Sequence, residues 1–154
     1  MNDELNELYQ EVIMEHNRHP RNYGVLANAN HQAAGFNPLC GDRINLKLHI
    51  DEDDKITAIM FEGNGCAISI ASASLLTEML QGKQVAEAYA LFEQFHEVLT
   101  GKIANTPSLG KLSVLAGVRT FPARVKCATL AWHTLKADLT DEAAPVSTET
   151  GHEP

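Results

Sequence analysis

Ile44, Leu46, Leu48 and Ile50 alternate strictly with Asn45, Lys47 and His49, and no other stretch limits the fold of this chain so tightly. Apolar residues at every second position put one face of a strand against a core and leave the other in water. Asp51 to Asp54 is a polar turn, and Lys55 to Glu62 returns as a second strand. The two strands make an antiparallel hairpin. Cys40 stands before the first strand and Cys66 just after the second, so both cysteines lie at the same end of the hairpin.

The remaining pattern is mostly helical. Leu5, Leu8, Tyr9, Val12, Ile13 and His16 follow the helical period, which predicts an amphipathic helix over residues 3–17. Asp3 is its candidate cap, and Pro20 prevents its continuation. Asn28 to Phe36 is weakly patterned and reads as an edge strand running into the Cys40 turn. Ile68 to Gln81 is a helix rich in small residues, closed by Gly82, and residues 84–98 form another. A loop over Thr100 to Ser108 leads to a short helix, Leu109 to Val118. The last helix runs from about Val125 to Leu139. On it Cys127, Leu130, Ala131, Thr134 and Leu135 share a face, so Cys127 points inward from the first turn. Phe92, Phe95 and Trp132 are read as core. The class is α+β: a small antiparallel sheet of about three strands with helices packed on it. Residues 1–139 form a single domain, and residues 140–154, rich in Glu, Thr, Ser, Ala and Pro, are expected to be a disordered tail.

Charge and cysteine count narrow the function. The net charge of −8 leaves no basic stripe for phosphate neutralisation. Arg18-His19-Pro20-Arg21 and Arg124-Val125-Lys126 are too short to track a groove, although either could touch a protein partner. No apolar run approaches the roughly 20 residues that cross a bilayer, and the acidic start Met1-Asn2-Asp3-Glu4 does not read as a targeting peptide. An odd number of cysteines then points to a reducing compartment, with the cytoplasm expected.

The cysteines carry the chemistry. Cys40 lies in Pro38-Leu39-Cys40-Gly41-Asp42, Cys66 in Gly63-Asn64-Gly65-Cys66-Ala67, and Cys127 in Arg124-Val125-Lys126-Cys127-Ala128. Cys66 leads into a helical run and Cys127 sits beside two cations at another expected helix start. Helix N-termini and neighbouring cations lower a thiol pKa, and the thiolate binds metal or attacks sulfur. With Asp42 they make a chemically reasonable Cys3Asp zinc set. A carboxylate in place of a fourth thiolate leaves a site able to exchange a ligand. Taken singly, each cysteine could be a small buried hydrophobe, and Asp42 could be a turn former or a cap. The spacing is not that of a linear zinc ribbon, and no histidine pair has metal-ligand spacing on one helix. His16 and His19 are read as surface or capping residues, His49 as outward-facing, and His133 as lying on a different helical face from Cys127.

Over residues 5–139 the sequence resembles the U-type iron–sulfur cluster assembly family (NifU N-terminal/IscU-like), and within it the SufU branch. The resemblance rests on Leu8-Tyr9, His16, His19-Pro20-Arg21-Asn22-Tyr23-Gly24, Asn37 to Asp42, Phe61 to Ser69, and Arg124 to Trp132. The IscU branch has histidine immediately before the third cysteine, where this chain has Lys126. Residues from about Val98 to Val118 resemble the insertion that marks the SufU branch. The resemblance implies a SufU/IscU-like fold and zinc held by Cys40, Asp42, Cys66 and Cys127. It implies that Cys40 leaves zinc, takes persulfide sulfur from a SufS-like cysteine desulfurase, and passes it to the downstream iron–sulfur assembly machinery. The desulfurase would offer zinc a histidine in exchange, and Arg124 would hold the freed thiolate or orient the site. The residues agree: Cys40 is on a turn, able to shift without breaking a helix, whereas Cys66 and Cys127 are tied to helices. The first helix, with Arg18 and Arg21 at its basic end, is either solvated surface or a partner contact.

Three functions remain open on sequence: a zinc-dependent sulfurtransferase, a scaffold that builds an iron–sulfur cluster on the same residues, and a non-catalytic zinc-stabilised binding module. Zinc and iron both suit the ligand set.

Overall fold

The computed structural model describes residues 3–38, 41–104, 107–139 and 146–147. At its centre is the hairpin that the alternation requires: β2 (Asp42–Ile50) and β3 (Ile56–Asn64), antiparallel, with Leu46 opposite Phe61 and Leu48 opposite Ile59. Ile44, Leu46 and Leu48 from β2 and Ile56, Ile59 and Phe61 from β3 are all buried. Each such side chain stabilises the fold by roughly 1.5–3 kcal/mol of transfer energy. β1 (His31–Asn37) pairs antiparallel with the other side of β2, from His31 opposite Leu48 to Asn37 opposite Asp42.

Two expectations change at the outer edge of β1. That strand is not a bare edge, because β4 (Val146–Ser147) runs parallel beside Gly35 and Phe36, giving the order β3-β2-β1-β4. Part of the segment expected to be a structureless tail is therefore a short strand. The physical reason is that an edge strand presents unpaired N–H and C=O groups, and even a short strand can satisfy some of them. The rest of residues 140–154 lies outside the described residues.

The helices cover the sheet. α1 (Asp3–Arg18) stops short of Pro20, as expected. His16 on it is not a surface residue: it is 3% exposed, with Nδ1 2.7 Å from Ser74 Oγ on α2 (Ala67–Leu80). Burial is the main cause that lowers its pKa, followed by the Arg21 charge. The apolar period had put it on the inner face with Val12 and Ile13, and Ser74 gives it the polar partner that burial demands. α2 is buried at Ser69, Ile70, Ala71, Ser72, Ala73 and Ser74, and its small side chains admit α1 and α4 (Pro122–Leu139) at close range. α3 (Val85–Leu99) opens with a reciprocal capping box between Gln84 and Glu87.

The short helix expected over 109–118 is a 3₁₀ segment, Pro107–Thr120, broken at Gly110, where φ is 56°. α4 begins earlier than expected, at Pro122. Proline suits the first helical position because its missing N–H would have no helical partner there. Cys127 therefore lies a full turn inside α4 rather than in its first turn. The inward face is as expected: Cys127, Leu130, Ala131, Thr134 and Leu135 are at most 2% exposed. Phe92, Phe95 and Trp132 are core residues, with the Phe95 and Trp132 rings 5.2 Å apart. Gly35 brings β1 close to α4, since a Cβ there would collide with Thr134 Oγ1. No described helix is long and apolar enough to cross a membrane.

Candidate metal centre

The hairpin end holding Asp42 and Cys66 is also where α4 delivers Cys127. One ligand atom from each of Asp42, Cys66 and Cys127 lies within 4.8 Å of the others. Three elements converge there: Asp42 opens β2, Cys66 is the N-cap of α2, and Cys127 comes from the second turn of α4.

Each residue is locally fixed. The Asp42 side chain is fully buried, and its Oδ1 accepts the Cys66 backbone N–H at 2.8 Å. Asp42 thus opens the strand and also ties the start of α2 to it. Gly65 makes the approach possible, because a Cβ there would overlap the Asp42 carboxylate and come within 2.7 Å of Ser69 Oγ. Cys66 Sγ is 3.8 Å from Asp42 Oδ2 and 3.8 Å from Ser69 Oγ. Cys127 is fully buried, and Asn37 Nδ2 donates to its Sγ at 3.6 Å.

The electrostatics favour a thiolate at Cys66. A hydrogen bond from Cys127 lowers the Cys66 pKa most, burial raises it, the Ser69 backbone N–H lowers it, and the Asp42 charge raises it; together they bring the thiol down to about 6. At neutral pH the metal-free Cys66 is then largely anionic.

The donor set fits a tetrahedral metal. With metal–sulfur bonds of ~2.3 Å and metal–oxygen bonds of ~2.1 Å, sulfur and oxygen ligands on a tetrahedral ion are about 3.6 Å apart. The 3.8 Å between Cys66 Sγ and Asp42 Oδ2 is close to that spacing. Two thiols and a carboxylate suit zinc or ferrous iron rather than magnesium or calcium, which take oxygen ligands.

Of the residues read as ligands, the structure brings together Asp42, Cys66 and Cys127, while Cys40 lies outside the described residues. Arg124 is exposed, one turn before Cys127 on α4. It lines a cleft of about 640 Å³ with Ile13, Ile68, Val118 and Phe121. Arg124 is not one of the clustered ligand residues. Asn37, Gly65 and Ser69 were given no role of their own by sequence reasoning. Proximity in sequence to Cys40 and Cys66 was the only signal, and it does not say which neighbours turn inward.

The chain matches the model of the NifU-like N-terminal domain over residues 8–141. It is 42% identical to the zinc-dependent sulfurtransferase SufU of Bacillus subtilis (strain 168), covering 92% of this chain and 95% of that protein. It is 45% identical to the iron–sulfur cluster assembly scaffold protein IscU of Streptococcus pyogenes serotype M1, covering 86% of this chain and 82% of that one. A solved structure from Fervidobacterium islandicum AW-1, described as a putative iron–sulfur cluster assembly scaffold protein for the SUF system, superposes with a TM-score of 0.81. It is 35% identical and covers 87% of this chain and 98% of that one.

Proposed function

The chain belongs to the NifU-like N-terminal domain family of iron–sulfur cluster assembly proteins, and from that premise we propose that it is a zinc-dependent sulfurtransferase. The observation that carries the proposal is the mixed donor set, one buried carboxylate beside two thiols within 4.8 Å. Asp42, Cys66 and Cys127 would hold the metal together with Cys40. When bound, zinc supplies the positive charge that keeps these thiols ionised and shielded from oxidation at neutral pH.

The chain's own residues then divide the work. Cys66 and Cys127 are carried by helices seated on the sheet and serve as fixed anchors. Cys40 is the acceptor: its thiolate attacks the outer sulfur of a persulfide on a cysteine desulfurase. The sulfur–sulfur bond of the donor breaks, the donor cysteine leaves as a thiolate, and a new sulfur–sulfur bond forms on Cys40. Arg124, exposed at the cleft, would offer its charge to the Cys40 thiolate. The sulfur then passes to the downstream assembly machinery.

The test is desulfurase turnover with and without this protein, in zinc-loaded and metal-stripped forms. Stimulation that needs both zinc and Cys40 is expected; Cys40→Ala accepting sulfur at the normal rate would remove Cys40 from its role. The likeness to the Streptococcus IscU favours a second reading, a scaffold that assembles a cluster on the same ligands. It requires an iron-dependent visible chromophore after reconstitution with iron and sulfide, and a colourless product would exclude it.

A further inference from the structure

Asn37 occupies a position between the parts of the centre that nothing in the proposed sulfur transfer yet uses. It is the last residue of β1, fully buried, and pairs across the sheet with Asp42. Its side-chain Nδ2 donates to Cys127 Sγ at 3.6 Å, while its backbone oxygen accepts the Gly41 N–H at 2.8 Å. One residue therefore holds the sulfur of a helix-borne ligand and closes the β1–β2 link on which Cys40 stands in sequence. Gly41 has φ 73°, a left-handed conformation that glycine adopts without strain, so the link is built to make this return.

We infer that Asn37 is a positioning residue of the metal centre, whose amide N–H holds Cys127 as a permanent thiolate ligand while its backbone carbonyl fixes Gly41, the neighbour of Asp42. An N–H donated to sulfur stabilises the thiolate in a buried site where no water can. It also draws electron density from the sulfur, which leaves Cys127 a weaker nucleophile than a thiolate without such a donor. In a site where one cysteine must leave and take sulfur, this bond adds to the reasons Cys127 stays. Such outer partners of metal ligands typically contribute 10–100-fold to metal affinity.

The inference rests on the zinc reading above, and its test separates the two. Asn37→Asp keeps the shape but replaces the donor with a carboxylate facing the thiolate. Zinc affinity, measured by chelator competition, is expected to fall by about 10-fold or more. In the cobalt-substituted protein, the sulfur-to-cobalt charge-transfer band is expected to move to longer wavelength, because a sulfur without its hydrogen bond gives up an electron more easily. Asn37→Leu removes the donor without adding charge and should move the band the same way; it takes over the test if circular dichroism shows the Asp variant unfolded. A role in shape alone would leave the Asp variant's band in place. If wild-type protein shows thiolate bands and both variants match it in band and affinity, Asn37 has no such role and the zinc reading survives. Wild-type protein with no thiolate bands would overturn both.

Discussion

The two ends of the β2–β3 hairpin share one alternating pattern and treat their polar groups in opposite ways. At the turn end the protein satisfies itself. Asp51 Oδ1 accepts the N–H groups of Asp53 at 2.9 Å and Lys55 at 3.0 Å, and Asp51 N–H bonds to Lys55 O at 3.0 Å. Gly82 donates to Ile56 O at 2.7 Å and Val85 to Asp54 O at 2.9 Å, locking the α2–α3 connection onto the same turn. At the other end a buried carboxylate and two thiols are crowded together, with donors from Cys66 N–H and Asn37 Nδ2. Both ends use an aspartate to accept backbone N–H groups. Asp51 does so half-buried at the surface, whereas Asp42 does so fully buried and beside sulfur, where an anion is costly without a cation. One end is finished by the chain alone; the other is the end proposed to hold a metal.

That contrast can be broken experimentally. The largest effect is expected at Asp42: Asp42→Ala should lower zinc affinity by more than about 100-fold, beyond the range of an outer partner, by chelator competition. Retained affinity would mean that the carboxylate is structural only. Next, Gly65→Ala forces a methyl group against the Asp42 carboxylate and Ser69. It should cost about 1–3 kcal/mol of stability and weaken zinc binding as well, both read from denaturant titrations with and without metal. Asp51→Ala at the opposite end removes the acceptor for two backbone N–H groups. It should cost about 1 kcal/mol with zinc affinity unchanged, and a loss of affinity would show the two ends to be coupled.

A last effect is one of pH. In the metal-free protein the Cys66 thiol is lowered to about 6, against about 8.5 for an unfolded thiol. Between those values the unfolded chain holds the extra proton, so stability should rise with pH across this window. The contribution is complete above the unfolded value and lost as pH falls through about 6. Denaturation midpoints across that range should slope upward in wild type and flatten in Cys66→Ser. Equal slopes would mean that the thiolate adds nothing to the fold.

Much of this was legible in the sequence, because period and order carry local information. Alternation located the hairpin, the hairpin put Cys40 and Cys66 at one end of it in the sequence reading, and the face shared with Leu130 turned Cys127 inward. What was not legible depends on contacts between distant segments. Asn37 donates to a sulfur ninety residues away in sequence, and nothing in the Asn37-Pro38 step announces it. His16 was read as surface because its partner, Ser74, lies on another helix. The last helix was read as starting near Val125 when it begins at Pro122, which moved Cys127 a turn deeper. Val146–Ser147 carries too short a pattern for strand formation to be visible without the edge it lies beside.

The chain's one tryptophan, Trp132, is fully buried on α4, the helix that carries Cys127, and stacks with Phe92 at 6.4 Å. Its fluorescence is therefore a built-in gauge of how that helix is seated. Filling or emptying the pole should register as a change in emission without any dye attached to the protein.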